Sequence, residues 1–140
     1  MPHSARHTHL IVDAMNVIGS RPDGWWRDRE GAAQRLLDRL QQLAATSDDE
    51  VTAVLDGRPS RSLPEGEHDG VMVLYASRRG PDAADDRIVE LVRDADAPEA
   101  MLVVTSDRAL RERVKALGAN VEGAGTLLRR LDALEQEADR

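Results

Sequence analysis

Acidic side chains follow the apolar, strand-length runs of this chain. Asp13 and Asp56 each come directly after such a run, and Asp107 follows a third run after Ser106. Three more acids stand near the start of a predicted helix, with spacings that place them on one helical face: Asp82, Asp85 and Asp86. Ligation by oxygen alone favours Mg²⁺ or Mn²⁺ over zinc, and the chain has no cysteine. An ion held in this way can activate water and screen a phosphodiester anion.

The elements that must position these acids are buried strands. Apolar runs of strand length occupy residues 9–12, 51–55, 71–76 and 101–105, and a short last strand is predicted at 119–122. The runs are continuous rather than alternating, which is typical of strands covered by helices on both faces. The carboxyl ends of parallel strands meet at one edge of a sheet, where ligands bind. We therefore expect the acids to gather at this edge.

Stripes of leucine and valine at helical spacing predict the helices between the strands. The first covers about 27–45, the second follows residues 81–82, the third is stopped by Gly118, and the last contains four leucines between 127 and 134. The order strand, helix, strand, strand, helix, strand, helix, strand, helix predicts an α/β fold. We expect a three-layer sandwich, with a mostly parallel central sheet and helices on both faces.

Composition limits the class of protein. The chain has 140 residues, a net charge of -7 and no cysteine, which excludes a disulfide scaffold and any Cys-ligated metal site. We expect one domain at 9–135, a flexible leader at 1–8, a flexible tail at 136–140 and an exposed loop at 57–70. No apolar run is long enough to cross a bilayer, so a cytoplasmic protein without a membrane partner is expected.

Each acid also has an ordinary structural interpretation. Aspartate caps helices and closes turns, and Asp56 precedes a glycine as in a turn, while for Asp82 the cap is the favoured interpretation. Taken together, however, several neighbouring carboxylates repel one another unless a cation offsets their charge. The joint pattern therefore favours a metal site.

Neutral side chains beside the acids could orient them. Asn16 stands three residues after Asp13, where it could hold that carboxylate or a metal-bound water, or cap a helix. Thr105 and Ser106 precede Asp107, where a hydroxyl could orient a carboxylate or accept from an exposed helical amide.

Three motifs carry a family resemblance. The segments DAMNVI at 13–18, ADDRI at 84–88 and TSDR at 105–108, in this order and spacing, resemble the NYN domain of the PIN-like ribonucleases, and most of all its YacP-like group. The resemblance extends over about 9–130. One departure is Ala14-Met15, where the family commonly has Gly-Tyr.

The resemblance implies a PIN-like fold and metal-dependent endonucleolytic cleavage of RNA with Mg or Mn as cofactor. It assigns the acidic metal site to Asp13, Asp85, Asp86 and Asp107, matches Asn16 to the asparagine of the first motif, and makes Asp56 a possible extra acid. RNA is then the expected partner, with ribosome association or an mRNA substrate as a further expectation, for a monomer or homodimer.

Cationic and aromatic residues could contact this substrate. Arginine supplies 18 of the 19 basic residues, and its planar fork suits phosphate. The residues that could border the acidic site and bind the backbone are Arg58, Arg61, Arg78, Arg79 and Ser106. Trp25 and Trp26 could stack on an unpaired base, although packing in the core is the favoured interpretation.

Two other classes of function compete with the nuclease. A catalytically weak or inactive RNA-binding module would keep the fold and use the acids only as caps. A phosphotransfer enzyme fits poorly: the haloacid-dehalogenase type would have an aspartate at Met15, and a receiver domain would have a lysine near a strand end, whereas Lys115 is predicted inside a helix.

Overall fold

The computed structural model describes residues 8–76 and 83–139, in which six strands form one sheet. The strands are β1 His9–Asp13, β2 Glu50–Leu55, β3 Gly66–His68, β4 Val71–Tyr75, β5 Met101–Val104 and β6 Asn120–Glu122. Their order across the sheet is β3-β4-β2-β1-β5-β6. All pairs in this part of the chain are parallel except β3 with β4. The expected mostly parallel sheet is confirmed.

Helices cover both faces of the sheet, so the predicted three layers are also confirmed. The helices are α1 Ala14–Gly19, α2 Arg29–Thr46, α3 Ala83–Arg93, α4 Arg108–Ala116 and α5 Ala124–Ala138. One hydrophobic cluster joins the sheet to α1, α2 and α5, and a second joins it to α3 and α4. Successive residues of β1 alternate between the two clusters, since Leu10 and Val12 belong to the first and Ile11 to the second.

Local signals in the sequence explain where two of the helices begin and end. The side chain of Asp28 accepts a hydrogen bond of 3.0 Å from Gly31 N and so caps the start of α2. After α4, Gly118 has a φ of 98°, the left-handed conformation that glycine adopts without steric cost.

The order in which the parallel strands are added to the sheet reverses at β1, and in open α/β sheets a reversal of this kind forms the binding crevice. From β1 the chain continues to β2 and β4 on one side, whereas β5 and β6 lie on the other side. The carboxyl ends of β1 and β5 therefore flank the point of reversal, where α/β sheets bind their ligands.

Some local predictions differ from the structure. Residues 14–19, for which no helix or strand was predicted, form the short helix α1, and the predicted loop at 57–70 contains the strand β3 and the buried Leu63. These elements are too short to show a periodic pattern, so pairing with β4 and packing against the core decide their structure.

Some predictions concern the two ends of the chain and one internal segment. Helix α5 continues to Ala138, inside the predicted tail, while residues 1–7, 77–82 and Arg140 lie outside the described residues. The predictions for Asp82, Arg78 and Arg79 fall on that undescribed part. Among the described helices, none has the length and apolar character needed to span a membrane.

Candidate active site

The carboxylate of Asp13 is buried at the end of β1. The residue is 6% exposed, and although it stands at the N-cap position of α1, its side chain caps no amide of that helix in the described structure. The pKa of Asp13 is raised to about 6, mainly by burial and to a smaller extent by the charges of Asp85, Asp56 and Asp107. A buried acid among like charges costs the fold free energy, which makes Asp13 a candidate functional residue.

Thr105 holds this carboxylate in place. It is fully buried after β5 and donates a hydrogen bond of 2.9 Å from Oγ1 to Asp13 Oδ2, which partly lowers the pKa of that acid. The same hydroxyl oxygen accepts from Asp107 N at 3.1 Å. Thr105 thus performs both tasks expected of a hydroxyl here, orienting a carboxylate and satisfying an amide before α4.

A second bridge joins the ends of β1 and β5. Asn16 Oδ1 accepts a hydrogen bond of 2.8 Å from Ser106 N, so Asn16 ties α1 to the turn before α4. Asn16 therefore does not cap a helix, and its Oδ1 atom is bonded to Ser106 N rather than to Asp13. The hydroxyl of Ser106 accepts from Ala124 N at 3.0 Å and so satisfies an amide at the start of α5. A contact between Ser106 and substrate stays a prediction.

The other acids differ in their surroundings. Asp107 is the N-cap of α4 and accepts from Leu110 N at 3.2 Å, so the capping interpretation holds for it, while its charge still acts on Asp13. Asp56 is exposed, yet partial desolvation raises the pKa of its carboxyl, which the charge of Arg29 lowers by a smaller amount.

The two neighbouring acids of α3 face different partners. Asp85 is among the charges that raise the pKa of Asp13. Asp86 Oδ1 lies 3.1 Å from Arg113 Nη2, so it forms an ion pair with α4. Both side chains are half-buried. Adjacent residues of a helix point about 100° apart, so one of them can face the site while the other faces α4.

The oxygen atoms of these side chains are suitable ligands for Mg²⁺ or Mn²⁺, but they do not form a complete coordination shell. Among residues 8–76 and 83–139, no three acidic or histidine side chains stand close enough together to hold an ion. Mg²⁺ keeps several waters and needs only one or two carboxylates from the protein. The donors are oxygen atoms, and the charge on Asp13 is disfavoured by burial and by three other acids, so a cation would be stabilised there.

Of the four arginines predicted to contact substrate, the structure describes Arg58 and Arg61. Arg58 and Arg61 are both exposed, and Arg58 lines a cavity of about 190 Å³ beside Asp56. Met15 and Leu63 also line this cavity, which was not predicted from the sequence. The available signal was Leu63, the single large apolar side chain of the polar segment 57–70.

The expected packing of both tryptophans in the core is wrong for one of them. Trp25 packs against the core and is partly buried, but Trp26 is 51% exposed and Arg27 lies 5.8 Å from its ring centre. The physical reason is that both residues lie in a 3₁₀ turn before α2 rather than in its amphipathic pattern.

Comparisons with known proteins agree with this fold. Two crystal structures of Rae1 (YacP) from Bacillus subtilis match the chain with a TM-score of 0.73 each. One, of a mutant form, is 24% identical and covers 95% of this chain and 80% of its own. The other is 26% identical, with 94% and 77% covered. The match confirms the PIN-like α/β fold.

Comparison with curated proteins finds no match. The model of the YacP-like NYN domain matches residues 10–140, which include every described residue of the candidate site. The resemblance predicted from the three motifs is thereby confirmed: the chain belongs to the family of YacP-like NYN domains, whose fold is of the ribonuclease type.

Proposed function

We propose that this protein is an endoribonuclease that cuts RNA internally with Mg²⁺ or Mn²⁺ at the carboxyl edge of its sheet. The observation that carries the proposal is the buried carboxylate of Asp13, whose pKa is raised to about 6 at the reversal point of the sheet. Burying a charge beside other charges of the same sign costs free energy, and binding of a cation would offset that cost.

We propose that Asp13 and one further carboxylate, from Asp85 or Asp107, hold the ion directly, and that bound waters connect it to the other acids, with Asp86 and Asp56 as further candidates. Bound there, the ion would activate water for attack on phosphorus and offset the charge of the phosphodiester. Asp86 can contribute only by leaving or sharing its ion pair with Arg113.

The protein's own side chains position these groups. Thr105 fixes the orientation of the Asp13 carboxylate, and Asn16 holds the turn that carries Asp107 against α1. Because both hydrogen bonds cross from β1 and its following helix to the end of β5, they keep the acids of the two strands at a constant separation. Such preorganisation is the main contribution of a protein to phosphate chemistry.

The exposed arginines near this edge are proposed to bind the backbone of a single-stranded or looped RNA. Arg58 and Arg61 are exposed in the segment after β2, and the same role is proposed for Arg78 and Arg79. A local cationic border can attract a polyanion even though the whole chain has a charge of -7. The cellular RNA, including an mRNA on the ribosome, stays a prediction.

The test is cleavage of a panel of end-labelled structured and unstructured RNAs by the pure protein. We expect internal cuts in unpaired regions with Mn²⁺ or Mg²⁺, and none with EDTA. If the metal-loaded protein binds these RNAs and leaves all of them intact, the protein is an RNA-binding module and the nuclease proposal is wrong.

A further inference from the structure

A preformed cavity lies beside the acidic site, at the carboxyl ends of β2 and β4. Its volume is about 190 Å³, and its apolar walls come from Met15, Leu63 and Tyr75. Polar groups from Asp56 and Ser62 also line it. Mostly apolar walls with a few polar groups are typical of sites that bind small molecules.

Hydrogen bonds fix the shape of this cavity. Tyr75 Oη is buried and donates to Leu63 O at 2.7 Å, and Tyr75 N donates to Glu65 Oε1 at 2.9 Å. Ser60 and Leu63 form an isolated antiparallel bridge within the same segment. The wall formed by residues 60–65 is therefore tied to β4 before any ligand arrives, which reduces the entropic cost of binding.

The cavity adjoins the acidic site directly. Met15 follows Asp13 by two residues in α1, and Asp56 both lines the cavity and acts on the charge of Asp13. The strands that end at these two acids, β1 and β2, are neighbours in the sheet and so lie about 4.8 Å apart. A group in the cavity is thus within one nucleotide's reach of the acids.

Charged side chains of both signs accompany the apolar walls. Arg29 and Arg58 line the cavity together with Glu30 and Asp56, and all four are exposed. The arginines can bind a phosphate, and the acids can accept hydrogen bonds from the amino group of a base. A nucleotide has this combination of properties, because its base has apolar faces and polar edges and its phosphates are anionic.

We propose that this cavity is a nucleobase subsite, which takes one unpaired base of the RNA next to the phosphodiester that is cut. The inference rests on the proposed ribonuclease function and adds how the substrate is selected. The base would pack its faces on Met15, Leu63 and Tyr75, and direct its edge to Asp56 and Ser62. A base within a duplex is stacked and paired on both sides and could not enter, so the subsite selects single strands.

The test uses a substitution that fills the cavity and measures which base of the RNA then contributes less to binding. Ala33 lines the cavity from α2 and is half-buried, so Ala33→Leu adds volume there while retaining a strong helix former. The matched control is Ala45→Leu on the exposed face of the same helix, about 18 Å away along its axis. Circular dichroism checks folding, and Ser62→Leu on the exposed segment replaces Ala33→Leu if that variant does not fold.

The probe is a labelled single-stranded RNA in which one abasic nucleotide is moved along the sequence. Binding is measured by fluorescence anisotropy in EDTA and low salt. For the wild-type protein and the control we expect one position at which loss of the base weakens binding roughly tenfold. For Ala33→Leu we expect weaker binding of the intact RNA and no further loss at that position.

The outcomes separate this inference from the proposed function. If no position is sensitive, or if Ala33→Leu keeps the same sensitive position, the cavity is not a base subsite, whether or not the protein cuts RNA. If the sensitive position depends on the cavity but Mn²⁺ yields no cleavage, the subsite stands and the nuclease proposal fails. Absence of any RNA binding by the wild-type protein overturns both.

Discussion

Thr105 Oγ1 donates a hydrogen bond of 2.9 Å to Asp13 Oδ2 and thereby connects the ends of β5 and β1. Both residues are buried, so the bond is shielded from water. The same hydroxyl oxygen accepts a hydrogen bond from Asp107 N, so Thr105 also contacts the residue that caps α4. A single neutral side chain thus sets the orientation of the acid on which the proposed chemistry depends.

Replacement of Thr105 by valine should raise the pKa of Asp13 beyond its value of about 6, because the hydrogen bond that lowers it is lost. The measurement is a carbon NMR titration of the Asp13 carboxyl group in EDTA. Thr52→Val is the matched control, since Thr52 is also a buried threonine, with its hydroxyl 2.8 Å from His9 Nε2. A pKa of Asp13 that is unchanged or lowered in Thr105→Val would contradict this role.

Asp13→Asn should change how stability depends on pH. The pKa of Asp13 is raised from 3.8 to about 6 in the folded chain, so the folded state binds this proton more tightly than the unfolded state does. Its contribution to the free energy of unfolding is therefore fully present below the unfolded pKa and is lost as pH rises through 6. Above that pH the buried charge costs on the order of 3 kcal/mol.

Urea unfolding in EDTA measures this effect. The asparagine variant should gain stability relative to the wild-type protein between about pH 4 and pH 7, with a plateau above that range. Acids that do not interact with Asp13 titrate equally in both proteins and cancel in the difference. Parallel pH profiles would show that the carboxyl group of Asp13 is not desolvated as described.

Mn²⁺ should raise the melting temperature by binding to the folded state alone, by an amount that corresponds to about 2.7 kcal/mol at a hundredfold excess over Kd. Asp85→Asn should remove more of this increment than Asp86→Asn, because Asp85 acts on Asp13 whereas Asp86 is paired with Arg113. Differential scanning fluorimetry with and without Mn²⁺ makes the comparison. A larger loss for Asp86→Asn would show that the ion recruits Asp86 from its ion pair.

The double variant Arg58→Ala, Arg61→Ala should weaken binding of single-stranded RNA and reduce its salt dependence. Two lost phosphate contacts correspond to a decrease of about 1.4 in the slope of log K against log salt. The charge-matched control is Arg93→Ala, Lys115→Ala, at the last turns of α3 and α4. Equal slopes for the two double variants would show that Arg58 and Arg61 do not contact the backbone.

The sheet and its acidic edge could be predicted because they rest on repeated signals. The apolar runs that end at Asp13 and Asp56 are long enough to specify buried strands, and parallel pairing then brings both acids to one edge. Helix α2 was predicted to within two residues at its start because its leucines repeat at helical spacing.

What the sequence could not give is which side chain contacts which. The bond from Thr105 to Asp13 spans 92 residues, and the separate orientations of Asp85 and Asp86 depend on the position of Arg113 in α4. The cavity depends in the same way on Tyr75, which binds Leu63 O through a contact that no periodic pattern encodes. Such contacts arise only when the packed elements fix the distances.

Single-turnover cleavage of a single-stranded RNA with Mn²⁺ tests the central claim most directly, with Asp13→Asn compared against Asp38→Asn. Asp38 is an exposed acid of α2 that accepts from Gln34 Nε2, so its replacement makes the same change in charge away from the site. We predict a loss of roughly a hundredfold or more in the cleavage rate for Asp13→Asn, an unchanged rate for Asp38→Asn, and intact circular dichroism spectra for both. If Asp13→Asn cleaves the RNA at the same rate as the wild-type protein, the assignment of this buried carboxylate as the centre of the active site is contradicted.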